Sequence, residues 1–260
     1  SLATLSLVLA VQGRLMRVLE GRPRDYRRSL VLGFLNPFLY YVVLFEAYDR
    51  LPAQEAQPLN YTWALTLALL SIPLLRQRIT RWDLAGGLLA YSGVWVIATH
   101  GRIFAVEFAD PVGVLLALGS TIIWSLYWIF SVRDTREPLV ALLVNFAFGL
   151  PFIAVACLLT SGFAVPVPGL LGAAYVGVFE MGLAFACWLT ALTLTSNASR
   201  VGNLIFLSPF LSLVFIHFLV GETILMSTYV GLALIIAGLI AQQLKARQQA
   251  SGEGAAAPAD

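Results

Sequence analysis

Apolar runs of about 18 to 25 residues, separated by short arginine-rich turns, recur along the whole chain. Runs of this length cross the ~30 Å hydrocarbon core of a bilayer as helices, and they lack the ~10-residue alternation of barrel strands. The chain is 59% hydrophobic and 12% charged, with a mean hydropathy of +0.84. Soluble domains carry roughly 25% charged residues. The expected fold is therefore all-α, a polytopic helical membrane bundle. Complete spans are predicted at 29–48, 56–75, 82–99, 111–131, 138–161, 168–192, 200–219 and 225–244.

Residues 1–11 are apolar but cover only about half a span, and neither a positive n-region nor a cleavage site marks a signal peptide. They read as the end of a truncated helix. Gln12 to Arg28 carries six arginines with Gly21 and Pro23 and is expected to be a solvent loop. If each span crosses once, fourteen of the sixteen Lys and Arg residues fall on one side, in that loop and at Arg76, Arg78, Arg81, Arg133, Arg136, Arg200, Lys245 and Arg247. The other side has Arg50 and Arg102 among Asp49, Glu55, Glu107, Asp110 and Glu222. The positive-inside rule makes the arginine-rich side and the C-terminus cytoplasmic. Residues 248–260, rich in Gly, Ala, Ser and Gln, are expected as a disordered cytoplasmic tail. Cys157 and Cys187 lie inside apolar runs without ligand spacing and read as small packing residues.

Gly86 and Gly93 match Gly231 and Gly238 at an offset of about 145 residues. Glycines seven apart share a helix face and permit close helix contact. One pair lies in a helix leaving the cytoplasm and the other in a helix returning to it, so the two copies run in opposite orientation, as in transporters built from inverted repeats. Residues 1–107 are expected as an incomplete first repeat and 108–247 as the second, five helices each, with the first helix and part of the second missing.

Polar and aromatic groups run straight into the uncharged stretch after Ala53. Asn60 and Trp63 share a helix face, and Tyr61 widens it. In a membrane helix such groups face protein or a wet cavity, so the three read either as cavity lining or as a helix tie with packed rings. Asn36 and Tyr40 are four apart, and Pro37 frees a backbone carbonyl beside them, which marks either a break facing a cavity or a kink satisfied by neighbouring helices. Ser120, Trp124 and Tyr127 fall on one face of the 111–131 span, with Trp124 too deep for an interfacial belt. Glu180 is a lone carboxylate near the middle of an uncharged span, flanked on its own face by Gly177, Ala184 and Cys187. A charge there costs roughly 2.5–3.5 kcal/mol, so it is either a partner for a substrate ammonium or proton, or a neutral acid buried between helices. His217, beside Phe218, reads as a packed ring, Asn145 and Asn203 as bridges between helices, and Glu222 as a helix-end or loop contact.

The opening helix Ala-Leu-Gly-Ser-Thr-Ile-Ile-Trp124, and Gly221-Glu222 followed by Gly231 and Gly238, resemble the drug/metabolite transporter superfamily with paired EamA-type repeats. Ala53-x-Glu55 followed by Asn60-Tyr61-x-Trp63 is similar to its YddG-like aromatic amino-acid exporter branch, with Ala64 where that branch commonly has Pro. The resemblance implies ten helices in the family, a bacterial inner membrane, and a central aromatic-lined cavity for aromatic and other neutral amino acids, moved by alternating access. Asn36, Tyr40, Asn60, Tyr61, Trp63, Trp124, Tyr127 and Glu180 are the candidate substrate-binding residues. Another small metabolite or a drug-like amine is the alternative cargo. An intramembrane enzyme finds no HExxH, GxSxG, Ser-Lys or paired-carboxylate arrangement in the chain. A structural subunit would not need inverted repeats. The expected partners are a small-molecule substrate and the lipid bilayer, with no cofactor, metal or nucleic acid; a monomer is compatible with the sequence.

Overall fold

The computed structural model describes residues 1–75, 81–102, 104, 110–131, 134–160, 166–194 and 208–255. Arg76, Arg78, Arg133, Arg200, Asn203 and Glu107 lie outside these residues, as do the side chains of Arg81, Lys245 and Arg247. Every regular element among the described residues is helical. Helix α1 is Leu2–Val11; α2 (Pro23–Gly33) passes through a π-helical stretch, Phe34–Leu39, into α3 (Tyr40–Arg50). Then come α4 (Ala53–Asn60), α5 (Trp63–Leu75), α6 (Arg81–Ala98), α7 (Pro111–Ser131) and α8 (Pro138–Thr160). Helix α9 (Val167–Tyr175) runs through a π stretch, Val176–Ala184, into α10 (Phe185–Leu194). Helix α11 (Ser208–Phe215) ends in a third π stretch, Ile216–Val220, and α12 is Met226–Ala255.

Among the described residues, four helical segments are long and apolar enough to cross a membrane: Pro23–Arg50, Pro111–Ser131, Pro138–Thr160 and Val167–Trp188. Three sequence expectations need correction. Residues 23–28 are not loop: Pro23 occupies the first helical turn, where its missing N–H costs nothing, and the Asp25 carboxylate accepts the Arg22 N–H at 2.9 Å, starting α2. The 56–75 span is two helices: at Tyr61–Thr62 the Thr62 N–H and hydroxyl both turn onto the Leu59 carbonyl, at 3.1 and 2.7 Å, and end α4. The segment from Gln248 to Ala255, expected to be disordered, continues α12. Extending an existing helix avoids a new nucleus, which offsets the poor helix propensity of Gly252 and Gly254.

The chain forms two compact units, one of residues 1–42 and 127–204, the other of 43–126 and 205–260. In the first, α2 packs on α8 through Gly33 and Gly149. A Cβ on Gly33 would overlap the Asn145 carbonyl, so backbone meets backbone there. Leu5 and Leu9 of α1 join Leu139, Leu143, Phe146 and Met181 in this unit's core.

In the second unit α6 and α12 form the most extensive helix pair. A Cβ on Gly93 would overlap the Gly231 carbonyl, and one on Gly238 the Gly86 carbonyl. The glycines therefore pair crosswise, 86 with 238 and 93 with 231, as two antiparallel helices require. Leu59, Leu65, Ala90, Ile97, Ala117 and Ile235 pack around this seam. The Glu222 carboxylate accepts the backbone N–H groups of Ala53 and Gln54 at 3.0 and 3.1 Å. It satisfies donors that the first turn of α4 leaves open, the helix-end contact expected of it.

Candidate functional site

The eight candidate residues divide between the units. Asn36, Tyr40, Tyr127 and Glu180 belong to the first; Asn60, Tyr61, Trp63 and Trp124 belong to the second.

In the first unit the chain breaks where Pro37 predicts it. Asn36 has φ −146° and ψ 120°, outside the helical region, inside the π stretch. The helical period that would put Asn36 and Tyr40 on one face therefore does not run through this point. Asn36 is fully buried. The Tyr127 hydroxyl is within electrostatic reach of Asn36, Ser131 and Asn145, yet at ordinary hydrogen-bond distance neither the Asn36 amide nor the Ser131 hydroxyl has a partner among the described residues. Unmet buried polar groups cost about 1–3 kcal/mol each, so their presence beside a broken helix calls for an explanation beyond packing.

Glu180 corrects one alternative. It is exposed, so it is not an acid buried between helices. The π stretch from Val176 to Ala184 has more residues per turn than 3.6, which moves Glu180 off the small-residue face predicted from an α-helical period. Its carboxylate accepts a hydrogen bond from the Tyr41 hydroxyl at 3.0 Å, and the rings of Tyr40 and Tyr41 meet edge to face at 5.0 Å. Tyr41 was not singled out in the sequence; only its place beside Tyr40 hinted at it.

In the second unit Asn60 ties helices together. Its Nδ2 donates to Ser120 Oγ on α7 at 2.8 Å, and Ser120 in turn donates to the Ala117 carbonyl at 2.7 Å. Tyr61 turns to a different helix, its hydroxyl donating to Ser208 Oγ on α11 at 2.6 Å. Trp63 and Trp124 meet edge to face, centroids 6.4 Å apart and planes at 78°, and both are only half-buried. The Ser125 hydroxyl donates to the Trp63 carbonyl at 3.1 Å and fixes the start of α5. The helix-tie reading thus holds for Asn60, while the two tryptophans keep ring surface uncovered.

Glu55, 1% exposed, is met by His100 Nε2 at 2.6 Å, an arrangement the sequence did not reveal. His100 sits at φ +53° just past the end of α6, a left-handed conformation uncommon for a residue other than glycine, and Gly101 follows at +79°. His217 is exposed, not the packed ring expected: its ring meets the exposed Phe218 edge to face at 5.0 Å and bonds the Glu222 carbonyl at 2.9 Å.

A bundle of apolar helices, several broken in mid-course and carrying polar and aromatic groups at the breaks, has the build of a membrane transporter. The sequence profile of the EamA-like transporter family matches residues 1–99 and 111–241 of the 260, and the chain belongs to that family. It is therefore a multi-pass membrane protein of a transporter family and not an enzyme. It is 25% identical to the uncharacterized transporter YvbV of Bacillus subtilis, over 91% of this chain and 81% of that protein. It is 28% identical to the aromatic amino acid exporter YddG of Ancylobacter novellus, over 70% of this chain and 64% of that protein, less than two thirds of the latter's length. It is 27% identical to a protein of Streptantibioticus cattleyicolor named probable terminal-alkyne amino-acid exporter, over 97% of this chain and 86% of that protein. A crystal structure 24% identical in sequence shares the fold, with a TM-score of 0.60 over 95% of this chain and 86% of the other.

Proposed function

We propose that this chain exports small metabolites, aromatic and other neutral amino acids first among them, by alternating access across a bacterial inner membrane. The observation that carries the substrate class is the Trp63–Trp124 pair, whose half-buried rings offer edge and face to another aromatic group. Two relatives named as amino-acid exporters support it. Alternating access calls for two oppositely oriented repeats, 1–107 and 108–247; the crosswise, antiparallel pairing of Gly86 and Gly93 with Gly238 and Gly231 supports the opposite orientation of the helices that close them. A cationic metabolite is the second reading, favoured by Glu180, an exposed carboxylate in an apolar span.

Proteoliposomes loaded with labelled L-tryptophan test the first reading. Efflux from protein-containing vesicles should exceed that from empty ones. Trp63→Ala should lower it roughly two- to tenfold, the equivalent of about 0.5–1.5 kcal/mol for one aromatic contact. Thermal stability in detergent should stay near wild type. A loss of about 3 kcal/mol or more would make Trp63 a packed core ring instead.

The orientation, with the C-terminus cytoplasmic, is tested at the exposed Thr135 in the turn before α8. Thr135→Cys should react with an impermeant thiol reagent in inside-out vesicles and not in intact cells. Labelling of intact cells would reverse the topology.

A further inference from the structure

In the first unit a cavity of about 170 Å³ opens where α7 turns into α8. Tyr127, Trp128 and Ser131 line it from α7, Asp134 and Arg136 from the turn, and Leu142 and Phe185 from α8 and α10. Apart from Tyr127, none of these belongs to the candidate residues above.

Part of the cavity wall is charged. Arg136 Nη2 meets Asp134 Oδ2 at 2.6 Å and Arg136 Nε meets Asp134 Oδ1 at 3.0 Å, with the side chains 12% and 6% exposed. Both ions are held from behind. Arg136 Nη2 also donates to Ser29 Oγ at 2.8 Å, and Arg28 approaches Asp134 at 3.8 Å. Burial works against the charge on Asp134, but the hydrogen bonds and charge of Arg136, backed by Arg28, outweigh it and hold the carboxyl below the usual carboxylate range. The pair is therefore complete above that range and is lost only as pH falls through the lowered value. A buried ion pair seldom adds net stability over apolar packing, so a pair braced from two sides and facing an open cavity is better explained by what it binds. The Ser131 hydroxyl, buried in the cavity wall, completes no hydrogen bond among the described residues.

The rest of the wall is largely apolar and includes Leu142, Ala141 and the Phe185 ring. A ligand matching the whole surface carries one cationic and one anionic group side by side and an apolar substituent pointing away from both. A carboxylic acid alone meets only the Arg136 half of the pair, and an amine alone only the Asp134 half. The volume lies below the ~300–1,000 Å³ of sites for drug-sized ligands.

We propose that this cavity is a second binding site, for the zwitterion of a neutral α-amino acid with an apolar side chain. The ammonium goes to Asp134, the carboxylate to Arg136 and Ser131, and the side chain to Leu142 and Phe185. The proposal rests on the exporter reading and adds a site where a substrate docks before transport.

The test uses the purified full chain in detergent at pH 7 with labelled L-phenylalanine as probe. 3-Phenylpropionate and 2-phenylethylamine, each lacking one of the two charges, serve as competitors. Wild type should bind the probe, with each competitor at least tenfold weaker than unlabelled L-phenylalanine. Leu142→Trp, which fills the cavity and leaves the ion pair in place, should remove one of two binding phases seen in wild type and leave the other. Ala141→Leu serves the same purpose if Leu142→Trp does not fold, and Ser131→Ala should weaken the same phase without removing it. Wild type that transports L-phenylalanine while the filled variant still binds and transports it normally would overturn this site and leave the exporter reading standing. Wild type that neither binds nor transports any neutral amino acid would overturn both. Equal competition by the amine or the acid would overturn the zwitterion.

Discussion

Gly93→Leu should abolish a stable α6–α12 pair. The clash is with backbone, the Gly231 carbonyl, and with Ile235, whose helix cannot step aside without uncovering Leu59, Ile97 and Leu239. Overpacking of this kind typically costs about 1–3 kcal/mol when side chains can yield, and more when the obstacle is main chain. We expect a loss of about 3 kcal/mol or more, read as a marked fall in the thermal midpoint in detergent or as failure to recover monodisperse protein. The control is the same type of residue in open space. A Cβ on Gly119 of α7 meets nothing within 4 Å, so Gly119→Ala should be neutral or stabilising by up to about 1 kcal/mol through helix propensity. Gly93→Ala should already destabilise. If Gly93→Ala and Gly119→Ala melt alike, the glycine seam does not hold the pair.

That seam was legible because two glycines repeat at one spacing in two places, and close helix approach has few other causes. The break at Asn36-Pro37 was legible for a similar reason, since proline removes a donor and blocks the preceding turn. What followed from helical period alone was less secure. Asn36 and Tyr40 lose their common face at the break, and Glu180 leaves its predicted face in the π stretch, because a wheel drawn at 3.6 residues per turn fails wherever an extra residue is inserted. Partners distant in sequence were invisible: nothing near Glu55 points to His100, forty-five residues on, or near Asn60 to Ser120. Of the Asp134–Arg136 pair only Arg136 stood out in the sequence, as positive charge on a turn. Its burial, and the cavity beside it, depend on how α2 and α8 close over that turn, which no local pattern encodes.

Glu180→Gln should lower amino-acid efflux at least about tenfold. The amide keeps the size of the side chain and can still accept from the Tyr41 hydroxyl, so the variant isolates the charge. That charge stands in a segment long and apolar enough to cross the membrane, and its hydrogen-bond partner among the described residues is a neutral phenol. Holding a carboxylate in such a place is costly, and a substrate ammonium is the natural group to offset it. Charged hydrogen bonds contribute about 1.5–3 kcal/mol, which corresponds to a factor of about ten or more in binding or rate. Tyr41→Phe, which removes the donor and leaves the charge, should cost less. Efflux measured from pH 5.5 to 8 separates two ways the charge can act. If Glu180 pairs with the ammonium, the variant should be slow at every pH and should lose the preference for L-phenylalanine over 3-phenylpropionate. If it carries a proton, wild-type rates should follow pH while the variant's profile is flat and its preference intact. A variant with wild-type rates and wild-type preference across that range would remove Glu180 from transport and leave recognition to the tryptophans of the second unit.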